Sequence, residues 1–594
     1  MLKGLTRWIS RKYAARKMAQ GDVHTAIKLW SIAVACGDDS PETQRNLAQA
    51  RQQVAEPGPM PSQPAPGDQE RPFAQSLRDA FNASQANADP ERPARLMLRS
   101  GGDSFDALHL MSVLGARLGR TDEAIGLISE ALWRNPGSAE AHTLLGACAW
   151  SNLAPAIESL RQRITQEKSG EVSPLGLLPL PESDASEQHQ CARQYAQQQY
   201  GDILSRPPLC GSRIREDRDR LRIGYLSADY HEHPISFLVA QVIEQHDRAR
   251  FEVFGYSSGP DSEDPMRRRI RAAFDTFREI RPSSHEVAAQ RIISDGIDIL
   301  VDLTGYTTNA RLEILALRPA PVQVSWLGYA GTLGHPRLAD YLIGDPIVSP
   351  LSDGVHFGEA LALMPNCFQP NDRQRAIGER PARTVAGLPE GGFVFCSFNQ
   401  SYKFTSAMFG LWCRLLVSVP GSVLWLLEPT QACIANLRRE AQARGVAFER
   451  MIFAPRTPTL AEHLARLKCA DLALDTYPYT SHATASDALW AGVPLVARQG
   501  QTFASRVSGS ILHAAGLPEL ITESAEDYYR LALELATSPA RLAQVRAQLE
   551  ANRMSCALFD SKRFTIDLER LYRRMWVGYR AGSLQPIALA AHDD

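Results

Sequence analysis

Asp475-Thr-Tyr-Pro-Tyr-Thr-Ser-His-Ala-Thr-Ala-Ser-Asp-Ala-Leu-Trp-Ala-Gly-Val-Pro-Leu-Val496 is the stretch that decides the fold of this chain. It follows the apolar run Leu472-Ala-Leu474, so the chain leaves a buried strand, makes a proline-containing turn and enters a helix that ends at Gly492. Val493-Pro-Leu-Val496 then reads as the next buried strand. Ser481, His482, Thr484, Ser486 and Asp487 cluster where the helix begins. Unpaired backbone N–H groups and the positive end of the helix dipole make such a place an anion site, to which an imidazole and hydroxyls add hydrogen bonds. The same residues also suit an ordinary Ser/Asp helix cap. The local pattern leaves both readings open.

Outward from this stretch, short apolar runs alternate with longer amphipathic segments. Phe393–Phe398, Val423–Leu427, Met451–Phe453, Leu472–Leu474 and Leu495–Val496 form one series. Leu221–Ser227, Phe251–Tyr256, Ile297–Leu303, Val322–Trp326 and Tyr341–Ile343 form an earlier one, with a break around Pro370 to Gly392. Such alternation predicts two doubly wound α/β domains, each a parallel sheet covered by helices, with a cleft between them. They are expected over 206–385 and 386–582, the second including closing helices from Ala540 to Arg574 and followed by a disordered tail over 583–594.

The first 205 residues read differently. Gly21, Ala26, Trp30 and Ala33 have the same spacing as Gly119, Ala124, Ile128 and Ala131, and Pro136 closes the second set. Small residues that let paired helices approach match tetratricopeptide repeats, whose period is about 34 residues. A non-repeating helical bundle is the alternative. A Pro- and Gly-rich stretch near 56–72 is expected to be a surface linker, and Ser169 to Glu187 another loop.

At 594 residues the chain is too long for one core. Its formal charge of -2 argues against nucleic-acid binding as the main activity. The ten cysteines are scattered, without a CxxC pair, as expected of reduced thiols in a cytoplasmic protein. The basic N-terminus, Met1 to Tyr13, lacks the uninterrupted apolar core of a signal peptide, and no run is long enough to span a membrane. It suits a first packed helix, or contact with an acidic membrane surface.

Several strand exits carry polar residues. Ser227-Ala-Asp-Tyr-His-Glu-His-Pro-Ile-Ser236 places Asp229, His231, Glu232 and His233 on one loop. Adjacent residues rarely converge on one metal ion, and no second His/Asp cluster is evident. A histidine acting as base or hydrogen-bond donor is the functional alternative to a plain loop residue. Asp302 to Arg311 and the glycine-rich Trp326 to His335 also follow strands; the latter lacks the Lys-Ser/Thr ending of a P-loop. Arg311 suits an anion or a pair with Glu313. Ser397-Phe-Asn-Gln-Ser-Tyr-Lys403 ends in a lysine suited to a phosphate, and His463 lies in a polar helix opening at Thr459.

Asp-Tyr-His-Glu-His-Pro, Leu-Arg-Pro-Ala-Pro-Val-Gln-Val, Gly-Tyr-Ala-Gly-Thr-Leu-Gly, Phe-Asn-Gln-Ser-Tyr-Lys, Ser-Val-Leu-Trp-Leu-Leu and Ser-His-Ala-Thr-Ala-Ser-Asp-Ala-Leu-Trp-Ala-Gly-Val-Pro occur in order between about Leu221 and Leu520. Together they resemble the catalytic region of the O-linked N-acetylglucosamine transferase family, glycosyltransferase family 41, the bacterial branch in particular. The resemblance implies a GT-B fold behind a repeat domain. It also implies inverting transfer from a UDP-sugar without a metal or other cofactor, onto Ser/Thr of a polypeptide led in by the repeats. By position, Gln400 and Lys403 would face the diphosphate, Ser481, His482 and Thr484 would hold it at the helix start, and Asp487 would orient the nucleotide–sugar region. His463 would meet uracil or ribose, and Gly334 would lie near the sugar. His233 would face sugar and acceptor and is the first candidate for the base, with Asp295 or Asp298 as the runner-up. The sequence departs from animal members at Phe237 and Asp298, each in place of a histidine, at Ala483 in place of a threonine and at Leu460 in place of a lysine. These leave glucose as an alternative sugar, and asparagine, a glycan or a small molecule as alternative acceptors. A repeat-based interaction scaffold with weak transferase activity is the reading from a different class.

Overall fold

The computed structural model describes Asn46 and residues 144–590, except 168, 169, 171 and 212–217. The repeat-like segments and the linker near 56–72 lie outside the described residues. The chain divides into units at Ala83/Ser84, and everything below belongs to the second.

The described part begins with helices Leu153–Thr165 and Ala185–Leu204. Asp184 caps the second by accepting from the Glu187 N–H at 2.7 Å. The expected loop before it contains a short 3-10 turn, Pro174–Leu177. The helix Ala185–Leu204 buries Cys191, Ala192, Ala196 and Tyr200, and Tyr195 meets Tyr306 of the first α/β domain edge-on at 5.2 Å.

That domain contains β1 (Leu221–Ser227), β2 (Phe251–Ser257), β3 (Thr276–Glu279), β4 (Ile299–Asp302), β5 (Val322–Ser325), β6 (Tyr341–Gly344) and β7 (Ala360–Leu363). The second contains β8 (Val394–Ser397), β9 (Val423–Leu427), β10 (Met451–Ala454), β11 (Leu472–Leu474), β12 (Leu495–Arg498) and β13 (Ile521–Thr522); β14 (Ile587–Ala588) follows near the end of the chain. Every pairing is parallel. The sheet orders are β14-β7-β6-β5-β4-β1-β2-β3 and β10-β9-β8-β11-β12-β13. Both are doubly wound, and together they make the GT-B arrangement. Near-continuous burial of the strands follows from helices covering both faces.

Strand order reverses between β1 and β4 in the first sheet and between β8 and β11 in the second. Ligands of open parallel sheets bind outside the carboxyl ends of the strands at such a reversal. The loops that leave these four strands are Ala228 to His233, Leu303 to Arg311, Phe398 to Lys403 and Asp475 to His482, four of the polar strand exits singled out from the sequence.

The C-terminal boundaries differ from expectation. The helix Ser561–Arg580 packs on the first domain: its Phe564 stacks on Trp326 at 5.9 Å and its Tyr572 Oη lies 3.0 Å from Tyr225 Oη. Beyond it, β14 pairs with β7 where a disordered tail was expected, and Leu589 is buried. A short apolar end can add to an open sheet edge and satisfy its backbone groups. At the break in the pattern near Pro370, Gln369, Asn371, Asp372 and Arg375 are buried, with Gln369 on Ser486 and Arg375 on Asp487 of the second domain.

Candidate active site

The second domain builds its half of the site from two strand exits held by buried hydrogen bonds. After β8, Asn399 Nδ2 donates to Ser481 Oγ at 2.6 Å. Exposed Gln400 opens a 3-10 turn, Ser401–Lys403, which carries Lys403 back inward. Lys403 is only 7% exposed. Its Nζ donates to the Thr480 carbonyl at 2.9 Å and stands 3.8 Å from the centre of the Tyr479 ring.

After β11, Asp475 Oδ1 accepts from the N–H groups of Thr476 at 2.8 Å and Ser481 at 2.7 Å. Thr476 Oγ1 donates to the Tyr479 carbonyl, Thr480 Oγ1 to that of Ala504 and Ser508 Oγ to that of Ser481. The turn delivers His482 as N-cap of the helix Ala483–Trp490. No side chain caps that helix, which begins with the amides of Ala483 and Thr484. His482 meets Tyr479 edge-on at 5.1 Å, so lysine and imidazole contact the same aromatic ring. The His482 Nε2 atom is buried without a hydrogen-bond partner.

Electrostatics follow from this burial. Desolvation pulls the Lys403 ammonium down to about 7, against the opposing pull of Asp475. Burial and then Lys403 hold His482 well below the ordinary histidine range, so its imidazole is neutral. A lysine, an unsatisfied imidazole nitrogen and uncapped helix amides together make a place for an anion. Thr484 is half-buried at the same helix start.

Asp487 and His463 occupy the flank. Asp487 Oδ1 pairs with Arg375 Nη1 at 2.6 Å, and Arg375 lies over Trp490. Asp487 therefore ties the interdomain segment to the helix Ala483–Trp490, while Gln369 Nε2 reaches Ser486 Oγ at 2.7 Å. His463 stands edge-on to Phe398 at 5.5 Å, with Nδ1 3.1 Å from Arg466 Nη2. Burial lowers its basicity, with Asp487 pulling the other way.

In the first domain, Ala228 N–H donates to Thr304 Oγ1 at 3.3 Å, which joins the exits of β1 and β4. His233 caps the helix Pro234–Gln245, its Nδ1 accepting from Ile235 N–H at 3.3 Å. The proton of the neutral ring is therefore on Nε2, which leaves that nitrogen as a donor. Burial and then His231 pull it down to about 4, so it is a weak base. Asp229, 8% exposed, has its Oδ1 3.7 Å from His233 Nδ1. Burial and then Asp302 push its carboxyl up to about 7. Asp302 accepts from Gly305 N–H at 2.7 Å and Thr304 N–H at 3.3 Å, and burial raises it to about 6 despite them.

The runner-up bases are misplaced. Asp298 precedes β4 and accepts the Arg222 N–H at 2.9 Å, at the amino end of the sheet. Asp295 ends the helix His285–Ser294, where it pairs with Arg278 at 2.9 Å and accepts from Tyr256 Oη at 2.9 Å. The site lies at the carboxyl ends of the strands, so neither faces it. Gly334, with φ of +75°, is a close-packing position: a Cβ there would lie 2.4 Å from Arg193 N in the helix Ala185–Leu204. Arg311 holds the carbonyls of Ile280 and Ser283 at 2.8 Å each. Among the described residues, no three His, Cys, Asp or Glu side chains converge as a cation site, and no helix is long and apolar enough to cross a membrane.

Comparison with known proteins agrees with this architecture. Glycosyl transferase family 41 matches residues 191–385 and 375–568. The chain is 36% identical over 454 residues to a probable UDP-N-acetylglucosamine–peptide N-acetylglucosaminyltransferase of Arabidopsis thaliana, covering 73% of this chain and 46% of that protein. A UDP-N-acetylglucosamine–peptide N-acetylglucosaminyltransferase of Caenorhabditis elegans is 30% identical, with 64% and 43% covered. The chain thus spans about half the length of the curated relatives it matches. A solved structure of a mutant Thermobaculum terrenum O-GlcNAc transferase aligns with a TM-score of 0.73 and 30% identity, over 87% of this chain and 100% of that one.

Proposed function

The chain belongs to glycosyl transferase family 41, and from that premise we propose that it transfers N-acetylglucosamine from UDP to Ser/Thr hydroxyls of polypeptides, with inversion and without a metal ion. The observation that carries this reading is the buried Lys403 beside the uncapped start of the helix Ala483–Trp490, at the strand-order reversal of the second sheet. In the reaction, the acceptor oxygen forms a bond to the anomeric carbon as that carbon's bond to the diphosphate breaks. UDP leaves with the electron pair, and charge grows on its β-phosphate. Lys403 and the Ala483 and Thr484 amides stabilise that charge with little reorganisation. His233 donates from Nε2 to sugar or acceptor, and the hydroxyl proton passes to Asp229, whose basicity lies near neutrality. Asp229 thus takes the role first expected of His233. The relatives' names support N-acetylglucosamine and a peptide acceptor. The buried cysteines among the described residues, which are not paired in disulfides, support a cytoplasmic setting.

The test is incubation of the protein with labelled UDP-N-acetylglucosamine, and separately labelled UDP-glucose, in cell lysate. Label from the first in protein, removable by β-elimination, is expected. Label confined to small molecules or glycans overturns the polypeptide acceptor, and label only from UDP-glucose overturns the sugar.

A further inference from the structure

Asp475 is fully buried at the exit of β11, where no substrate can touch it. Its Oδ1 accepts two backbone N–H groups, Thr476 and Ser481, so the turn between them folds around one carboxylate oxygen. Tyr528 Oη fixes the backbone of the same residue, donating to the Asp475 carbonyl at 3.0 Å. That turn supplies both groups on Lys403 Nζ: the Thr480 carbonyl and the Tyr479 ring. Both are neutral, and neither replaces the water that a buried ammonium has lost.

We propose that Asp475 is the positioning residue of the donor site, holding the 476–481 turn under Lys403 and keeping the lysine in its protonated, diphosphate-binding form. The inference rests on reading the Lys403 pocket as the diphosphate site. The groups that face Lys403 fit it: Asp475 is the charge that favours the ammonium, its own carboxyl raised by burial but held against that by hydrogen bonds from the 476–481 turn, while His482 is neutral and Tyr402 keeps its proton, raised by burial to about 12. Lys403 sits near 7 with Asp475 in place. Removing the negative charge leaves desolvation unopposed and lowers the lysine further. A diphosphate then has to bring a proton with it.

Calorimetric titration with UDP between pH 6 and 9, in two buffers of different ionisation enthalpy, reads this directly. Wild type is expected to take up protons on binding UDP and to lose affinity as pH rises, and Lys403→Met to show neither effect. In folded Asp475→Asn, which keeps an acceptor for both N–H groups, UDP affinity at pH 7.5 is expected to fall about tenfold, the equivalent of one unit in the lysine. Less is lost at pH 6.5, and the substitution adds nothing in the Lys403→Met background. Asp475→Ser serves if the amide variant does not fold. A folded Asp475 variant with the wild-type pH course overturns the proposal, as does an effect that persists without Lys403. Wild type that binds no UDP overturns instead the nucleotide reading beneath it.

Discussion

Trp150 donates its indole N–H to the carbonyl oxygen of Phe404 at 3.1 Å, across 254 residues of chain. The bond is buried, and Phe404 directly follows Lys403. The same approach recurs on either side: Ser401 Oγ donates to the Gly146 carbonyl at 2.6 Å, and Asn436 Nδ2 to that of Ala147 at 2.8 Å. The Trp150 ring packs 5.3 Å from Phe409. A segment that precedes both α/β domains therefore clamps the turn that carries the lysine, which makes it part of that turn's support.

Trp150→Phe keeps an aromatic ring and removes the donor, leaving the Phe404 carbonyl buried and unpaired. That costs about 1–3 kcal/mol. The melting temperature is expected to fall by several degrees, and turnover of the folded protein about three- to tenfold as the Lys403 turn loosens. Steady-state kinetics well below the melting point check this. Wild-type turnover in a destabilised variant would make the contact packing alone.

His233→Ala tests the assignment of that residue as donor. Loss of the N-cap costs about 0.5–2 kcal/mol of stability. Loss of a hydrogen bond to a charged transition state costs about 1.5–3 kcal/mol, or roughly ten- to a hundredfold in turnover. Because His233 is pulled down to about 4, it is neutral throughout pH 5.5–8. The variant should therefore keep the wild-type shape of the pH–rate profile in that window. An acid limb near 6.5 that vanishes in His233→Ala would restore it as the base.

Local pattern and tertiary partnership were not equally legible. The βα alternation was plain because a strand covered on both faces must be an apolar run. β3 escaped because Thr276-Phe-Arg-Glu279 is a half-exposed edge strand without such a run. The helix Ser561–Arg580 shows its apolar face at Phe564, Leu568, Leu571, Tyr572 and Met575, but nothing local says which sheet receives it. The place of the helix start at Ser481 to Thr484, at the carboxyl end of its sheet, was readable because polar residues following a buried strand have a direction. That same direction argues against Asp298: a residue just before a parallel strand lies at the wrong end of the sheet. Arg375 on Asp487, Asp475 beneath Lys403 and Trp150 on Phe404 join residues far apart in sequence. No periodicity or spacing encodes such pairs.

Asp229 offers a test that separates catalysis from stability. Its carboxyl is raised in the folded state to about 7, against about 3.9 in an unfolded chain. A raised group contributes stability that is fully present below the unfolded value and is lost as pH rises through the folded one. Asp229→Asn removes that loss. Its stability advantage over wild type should be near zero at pH 4, grow through pH 5–7 and level off above, at up to about 4 kcal/mol for a shift of about three units. Turnover should fall by roughly 10²–10⁴-fold if the residue accepts the proton. Denaturant titrations at pH 4, 6 and 8 check the first part, and label transfer the second. A variant more stable at pH 8 yet fully active would leave Asp229 buried but not catalytic, and the proton on the donor phosphate.

Glu569 anchors the returning helix, and its loss should affect folding without touching chemistry. Its Oε1 accepts from the Asp247 N–H at 2.8 Å and lies 2.9 Å from His246 Nδ1. The far nitrogen, His246 Nε2, is 2.8 Å from Tyr225 Oη, which in turn meets Tyr572 Oη at 3.0 Å. This chain of polar groups crosses the buried contact between the helix Ser561–Arg580 and the first sheet, next to the stack of Trp326 on Phe564. Inside a low-dielectric contact such a network specifies one packing when complete and is costly when broken. Glu569→Ala strands both His246 and the Asp247 N–H, at a cost of about 2–4 kcal/mol. Heat or urea should then unfold the protein earlier. Turnover per folded molecule well below that transition should stay within about twofold of wild type, because Lys403, His482 and Asp229 keep their partners. A large loss of turnover in folded Glu569→Ala would mean that the helix transmits its position to the β1 exit. Asp229 and His233 would then depend on the C-terminal helix as Lys403 depends on Trp150.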